Sequence, residues 1–264
     1  MIEMFQFPFI QRALLGGLLV GFLASFYGVF VVQKGLSFMG SGLAHAAFGG
    51  VALGLLLGQQ PLYLAVPFTV LAAIGITYIK NRTELGADTA VGIFFSVSMA
   101  LGVVFLFLRK EYTADAFTYL FGSVLAVGWV DIYATAVVVL TTLLFSPFWK
   151  RWAYAAFDRE LARTDRIPVQ MDDYILNILI AVTVVVSIKV VGIVLVAAFL
   201  VIPAATARLL SRTFARMTLL SIFLGMGSAV VGLILSYLLD VPSGATIILF
   251  QAFCFFTFLF LKSH

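Results

Sequence analysis

Long apolar runs follow one another along almost the whole chain, separated by short clusters of glycine, proline and charged residues. Crossing about 30 Å of hydrocarbon takes roughly 20 helical residues, and about 17 at the short end. Runs of that length predict spans near 13–32, 43–58, 62–79, 89–108, 132–148, 174–188, 190–207, 217–239 and 245–261. Apolar and polar positions do not alternate, which excludes the strands of a membrane barrel. Ala116–Val127 is apolar but too short to cross, and predicts a re-entrant or interfacial helix. Lys189 alone interrupts the stretch 174–207. Because lysine is costly at mid-bilayer, it is expected in a tight hairpin between two spans. Pro203 removes one backbone hydrogen bond, frees the Phe199 carbonyl and predicts a kink late in the seventh span.

The fold class is therefore an all-α polytopic membrane protein of about nine transmembrane helices, with residues 1–264 as one transmembrane domain. Two sets of glycines, Gly17 with Gly21 and Gly50 with Gly54 and Gly58, have the spacing that lets helices approach closely; packing inside one subunit is the expected use. Arg12 is the only early base, so the positive start of a secretory signal is missing and 13–32 reads as a retained span.

Composition supports a membrane solvent. The chain is 63% hydrophobic and 11% charged, with mean hydropathy +1.14, whereas a soluble domain carries about 25% charged residues. A net charge of +4 might suggest nucleic acid, but the bases stand at the ends of apolar runs, as topology requires and a phosphate-binding face does not. With 149–173 inside, the inner side holds Lys34, Lys80, Arg82, Lys150, Arg151, Arg159, Arg163, Arg166, Arg208, Arg212, Arg216 and Lys262. The outer side keeps Arg12, Arg109, Lys110 and Lys189. Twelve against four predicts an external N-terminus and a cytoplasmic C-terminus.

Chemistry is sparse. His45 is the imidazole placed within a span, with Ser41 one turn earlier on the same face. Neutral imidazole is a common ligand of transition metals, so His45 is a candidate transient ligand and Ser41 a weaker one; a histidine bonded across a helix interface is the alternative. Asp88 reads as the N-cap of the fourth span, and is a further candidate for cation contact. Two histidines and one cysteine cannot build a closed His/Cys site, so a metal is expected as passing substrate rather than as stably bound cofactor. Ala155–Arg163 predicts a short amphipathic helix capped by Asp158, suited to a protein partner on the inner side. There is no G-x-x-x-x-G-K-[ST] motif and no hydrolase motif, so ATP hydrolysis, if used, belongs to another chain. A secondary carrier driven by an ion gradient is the competing class, and would be expected to carry broken helices and buried ionisable pairs.

Several segments in order resemble the permease subunits of ABC importers for zinc, manganese or iron(II), the ABC-3 family. They are Gly28–Val32, Leu36–His45, Asp88–Ser96, Phe121–Ser123, Ala156–Ala162, Val191–Ala198, Ile202–Arg208 and Asp240–Thr246. The resemblance implies a fold like the membrane subunit of the vitamin B12 importer, a type II ABC importer, shortened by a leading helix. It implies a second permease copy forming a homodimer, two cytoplasmic ABC ATPase subunits and an external metal-binding protein, in a cell membrane. By the same resemblance, Phe157, Asp158, Glu160 and Leu161 would dock the ATPase. Arg12, Asp240 and Ser243 would face the binding protein. Many family members carry aspartate where this chain has Ser41, and proline where it has Gly49. The implied acid–histidine pair is thus incomplete, which by donor softness tilts the expected cargo toward zinc or iron(II).

Overall fold

The computed structural model describes residues 7–109, 119–120, 122 and 127–263. Among these residues no strand forms, and nine helical segments are long and apolar enough to cross a membrane. The helices are α1 (Pro8–Gln33), α2 (Ser37–Leu56), α3 (Pro61–Arg82), α4 (Ala87–Leu108), α5 (Trp129–Phe145), α6 (Trp149–Phe157), α7 (Arg159–Thr164), α8 (Val169–Val191), α9 (Ile193–Leu210), α10 (Phe214–Leu239) and α11 (Ser243–Ser263). A 3-10 turn at Ser146–Phe148 joins α5 to α6. The predicted interfacial helix 116–127 falls mostly outside the described residues.

Local chemistry explains the helix ends. Proline opens α1 and α3, where its missing N–H costs nothing. The Thr213 hydroxyl accepts from the Arg216 amide to cap α10. Gly35 and Gly58 make the turns after α1 and α2 at φ 66° and 64°. Gly58 therefore serves a turn, with open space beside it, rather than the close packing its spacing suggested. Between α8 and α9 the chain reverses at a single residue, Gly192, at φ 91°.

Three helices form the centre. Most of the apolar window of α1, α2 and α8 is buried, up to 78% in α2, against 17% in α4 and α11. Lipid-like surroundings give no hydrophobic drive between helices, so close packing must hold them. Glycine supplies it: a side chain at Gly28 would meet the Leu200 carbonyl of α9 at 2.0 Å, and one at Gly21 the backbone of Gly225 on α10 at 3.0 Å. Gly50 and Gly54 lie equally close to Ala65 and Pro61 of α3, so these pairs serve packing within the subunit, as expected.

Three expectations need correction. Lys189 is not in a loop; it stands in the last turn of α8 and pairs with Asp131 of α5 at 2.8 Å. The opposite charge offsets the burial cost that argued for a loop, and the reversal comes three residues later. Asp88 is not the cap of α4: Gly86 holds that position without a side-chain bond, while Asp88 lies exposed in the first turn. There its charge still faces the positive end of the helix dipole. The segment 149–173 is mostly helical, and Asp158 splits what read as one helix into α6 and α7.

Successive helices run antiparallel, which gathers the predicted inner bases at one end. There Lys34, Arg151 and Arg159 find acids, Arg208 reaches the Val32 carbonyl and Lys262 the Leu209 carbonyl. In a Cys254→Ser chain, single cysteines at Arg163 and Asp240 should react with an impermeant thiol reagent from opposite sides, Asp240 from outside. Same-side reaction would break this topology. Gly28→Ala should separate α1 from α9 and lower the thermal midpoint in detergent, by an overpacking cost of about 1–3 kcal/mol. An unchanged midpoint would show that the contact yields.

Candidate functional site: an opening on α2

The α2 helix is sealed along most of its length. From Met39 to Ala52 every residue is buried except Ser41 and His45, which lie one turn apart on one face. The rest of the surface is closed by α3, α4, α8 and α9 packing against it. Phe38, exposed at the start of the same stripe, and the half-buried Phe95 of α4 flank the opening. The imidazole lies 4.3 Å from the Phe95 ring, centroid to centroid. Glycine allows the two helices to come this close: a side chain at Gly42 would collide with Val91 of α4.

The orientation of His45 is set by backbone. Its Nδ1 lies 2.9 Å from the Ser41 carbonyl oxygen. A carbonyl only accepts, so Nδ1 carries the proton and donates, which leaves the Nε2 lone pair as the free donor to a metal. A ligand histidine fixed through its other nitrogen is the usual arrangement at metal sites. Ser41 thus acts first through its main chain, a role its side-chain identity did not disclose. Asp88 lies exposed at the beginning of α4, and no contact joins it to His45. Among the described residues no three His, Cys, Asp or Glu side chains stand together as a metal cluster.

The other predicted positions divide between the two ends. At the inner end Asp158 caps α7, accepting from the Leu161 amide at 2.9 Å. Phe157 and Leu161 are exposed large apolar groups there, although Phe157 also packs on the Phe214 ring at 5.6 Å. Glu160 is exposed and pairs with Arg163. At the outer end Arg12 lies one turn into α1, its Nε donating to the Pro8 carbonyl. Asp240 is exposed and ends α10 in the left-handed conformation, while Ser243 is buried at the start of α11.

Charges that sequence reasoning missed are buried in the bundle. Asp131 binds Lys189 and accepts from the Gly128 amide. Asp172 holds Arg151, and Asp173 holds both Lys34 and Arg159. Their signal was their position within a turn of an apolar run; their partners lie 14 to 139 residues away.

Comparison with known proteins agrees with this architecture. The model of the ABC 3 transport family matches residues 6–262. The manganese import system permease protein ScaB of Streptococcus gordonii is 38% identical over 257 residues, covering 97% of this chain and 92% of that protein. The high-affinity zinc uptake system membrane protein ZnuB of Haemophilus influenzae is 35% identical over 262 residues, covering 98% and 100%. Among solved structures, PsaBC from Streptococcus pneumoniae in complex with Fab superposes with TM-score 0.87 at 37% identity, over 97% of this chain and 93% of that one. A metal-chelate type ABC transporter in an inward-facing conformation shares the fold at TM-score 0.75 and 16% identity, over 95% and 85%. With nine apolar helices among the described residues and a family match over nearly its full length, the chain belongs to the ABC 3 transport family, as a multi-pass protein of the cell membrane.

Proposed function

We propose that this chain is the permease subunit of an ATP-driven importer that carries a divalent transition metal handed over by an external binding protein. The observation that carries the reading is the opening on α2, where from Met39 to Ala52 the helix leaves only Ser41 and His45 accessible, with Nε2 free. Relatives named for manganese and zinc import support the class of cargo. Transport needs a ligand that holds briefly. One neutral imidazole and a hydroxyl bind a divalent ion weakly, which suits passage better than storage. The metal is cargo, and the chain works as no enzyme by itself.

In this reading two copies enclose the path and two ATPase subunits sit at the inner end. The exposed Leu161 and Phe157 on α6 and α7 supply an apolar surface for them, with Asp158 and Glu160 beside it. Arg12 and the Asp240–Ser243 turn lie at the opposite end, where a binding protein would arrive. Ser243 contributes through the buried start of α11 rather than by contact. Asp88, exposed at the inner start of α4, is a secondary cation contact for the leaving metal. The donor set favours zinc or iron(II) over manganese, because no carboxylate accompanies the imidazole.

His45→Ala should cut metal uptake into proteoliposomes by at least about tenfold, the scale of disturbing a metal ligand. A packing histidine would instead show as a stability loss of roughly 0.6 kcal/mol with uptake retained. Ser41→Asp should move selectivity toward manganese only while His45 is present; unchanged uptake of zinc, iron(II) and manganese in both single variants would end the assignment. Leu161→Glu should abolish metal-stimulated ATP hydrolysis in the assembled transporter without lowering the permease's thermal midpoint. Full stimulation would place the ATPase elsewhere.

A further inference from the structure

One buried constellation takes no part in the site on α2. Asp173, in the first turns of α8, is 3% exposed and each of its oxygens faces a cation. Oδ1 lies 2.7 Å from Lys34 Nζ, and Oδ2 lies 3.0 Å from an Arg159 guanidinium nitrogen. The same Arg159 group donates to Asn81 Oδ1 at the end of α3, at 2.9 Å. Beside it, Asp172 holds Arg151 of α6.

The partners come from parts of the chain with different duties. Arg159 is the first residue of α7, the helix that presents Leu161 outward. Lys34 caps α1 and stands three residues before α2 begins. The turn between them is tied closely: the Lys34 and Leu36 amides donate to the Phe30 and Val31 carbonyls, and the Met39 amide to the Leu36 carbonyl. From Ser37 to His45 the helix rises about 12 Å, at 1.5 Å per residue. No proline interrupts it, so α2 moves as a rod.

We propose that Asp173 is a positioning residue for transport, its carboxylate joining the α6–α7 platform to the α1–α2 turn so that platform movement displaces α2 and His45. The inference rests on the ATP-driven reading above. A buried carboxylate between two cations is held in place by the penalty of leaving any member uncompensated. Platform and turn must therefore move together or break a pair. Arg151 with Asp172 provides a second attachment of the platform to α8 that bypasses Lys34. Removing Lys34 alone thus cuts the ionic link to the α1–α2 turn and leaves the platform fastened.

The experiment uses the permease assembled with its ATPase in nanodiscs, in a Cys254→Ser background. An environment-sensitive fluorophore sits at Thr164 on α7, or at Leu57 beyond the far end of α2; both positions are exposed. In the native protein both probes respond to ATP with vanadate. Lys34→Gln should retain the Thr164 response and basal ATP hydrolysis, while the Leu57 response falls by at least about fivefold, the lower edge of coupling between linked sites. Lys34→Arg should restore it. Asp173→Asn should have the same effect, and the double variant should be no worse than either single one. Should Asp173→Asn fail to assemble, Lys34→Gln decides by itself. A Leu57 response that survives Lys34→Gln, or losses from Lys34 and Asp173 that simply add, would overturn the role. A Thr164 probe that ignores ATP in the native protein would overturn the ATP-driven reading itself, and the role with it.

Discussion

Charge withdrawn from water must meet opposite charge, and α8 is where this structure satisfies that requirement at both ends. Its first two turns carry Asp172 and Asp173, and its last turn carries Lys189. The arrangement agrees with the helix dipole, acids at the positive end and the base at the negative end. It also recruits neighbours from four directions: Lys34 after α1, Arg151 on α6, Arg159 on α7 and Asp131 on α5. Such pairs add little net stability against well-packed apolar groups, yet losing one member costs about 3–5 kcal/mol. Their contribution is to register. They set the height and rotation of the central helix against the helices around it.

With α8 fixed, glycine contacts close the remaining space. Polar side chains inside the bundle are paired across helices in the same spirit: Tyr27 with Thr142, Asn177 with Thr77 and Gln251 with Ser228. Many buried Ser and Thr hydroxyls donate to the carbonyl one turn back, as Thr69 and Ser187 do, and so need no outside partner. The Nε2 of His45 differs from these paired groups in that its lone pair is left available at a half-buried position.

The spans were legible because the bilayer imposes a length, and apolar runs of that length cannot be mistaken for strands. Their ends were less so. The second span begins at Ser37 rather than at 43, since protein rather than lipid surrounds its serines and glycines. Lys189 could be recognised as costly, but not as paired, because Asp131 lies 58 residues away. The acids 172 and 173 stand just before the predicted start of the sixth span at 174, and only the fold reveals that α8 begins at Val169. His45 and Ser41 were visible as a one-turn pair. That the serine's carbonyl, and not its hydroxyl, holds the imidazole is a property of backbone geometry, which residue identity does not carry.

That last detail bears on how one fold can serve different metals. The bond that orients His45 depends on a main-chain carbonyl, so the side chain at position 41 can change without turning the ring. Position 41 is only half-buried and lies in the opening, so an acid there would be solvated or metal-bound rather than sealed among apolar groups. Ligand charge at the site can thus be altered by one residue at little cost to folding. In the proposed site the imidazole would supply a borderline donor and its neighbour would decide how hard the site is; with a neutral hydroxyl at position 41, selectivity would follow softness rather than charge.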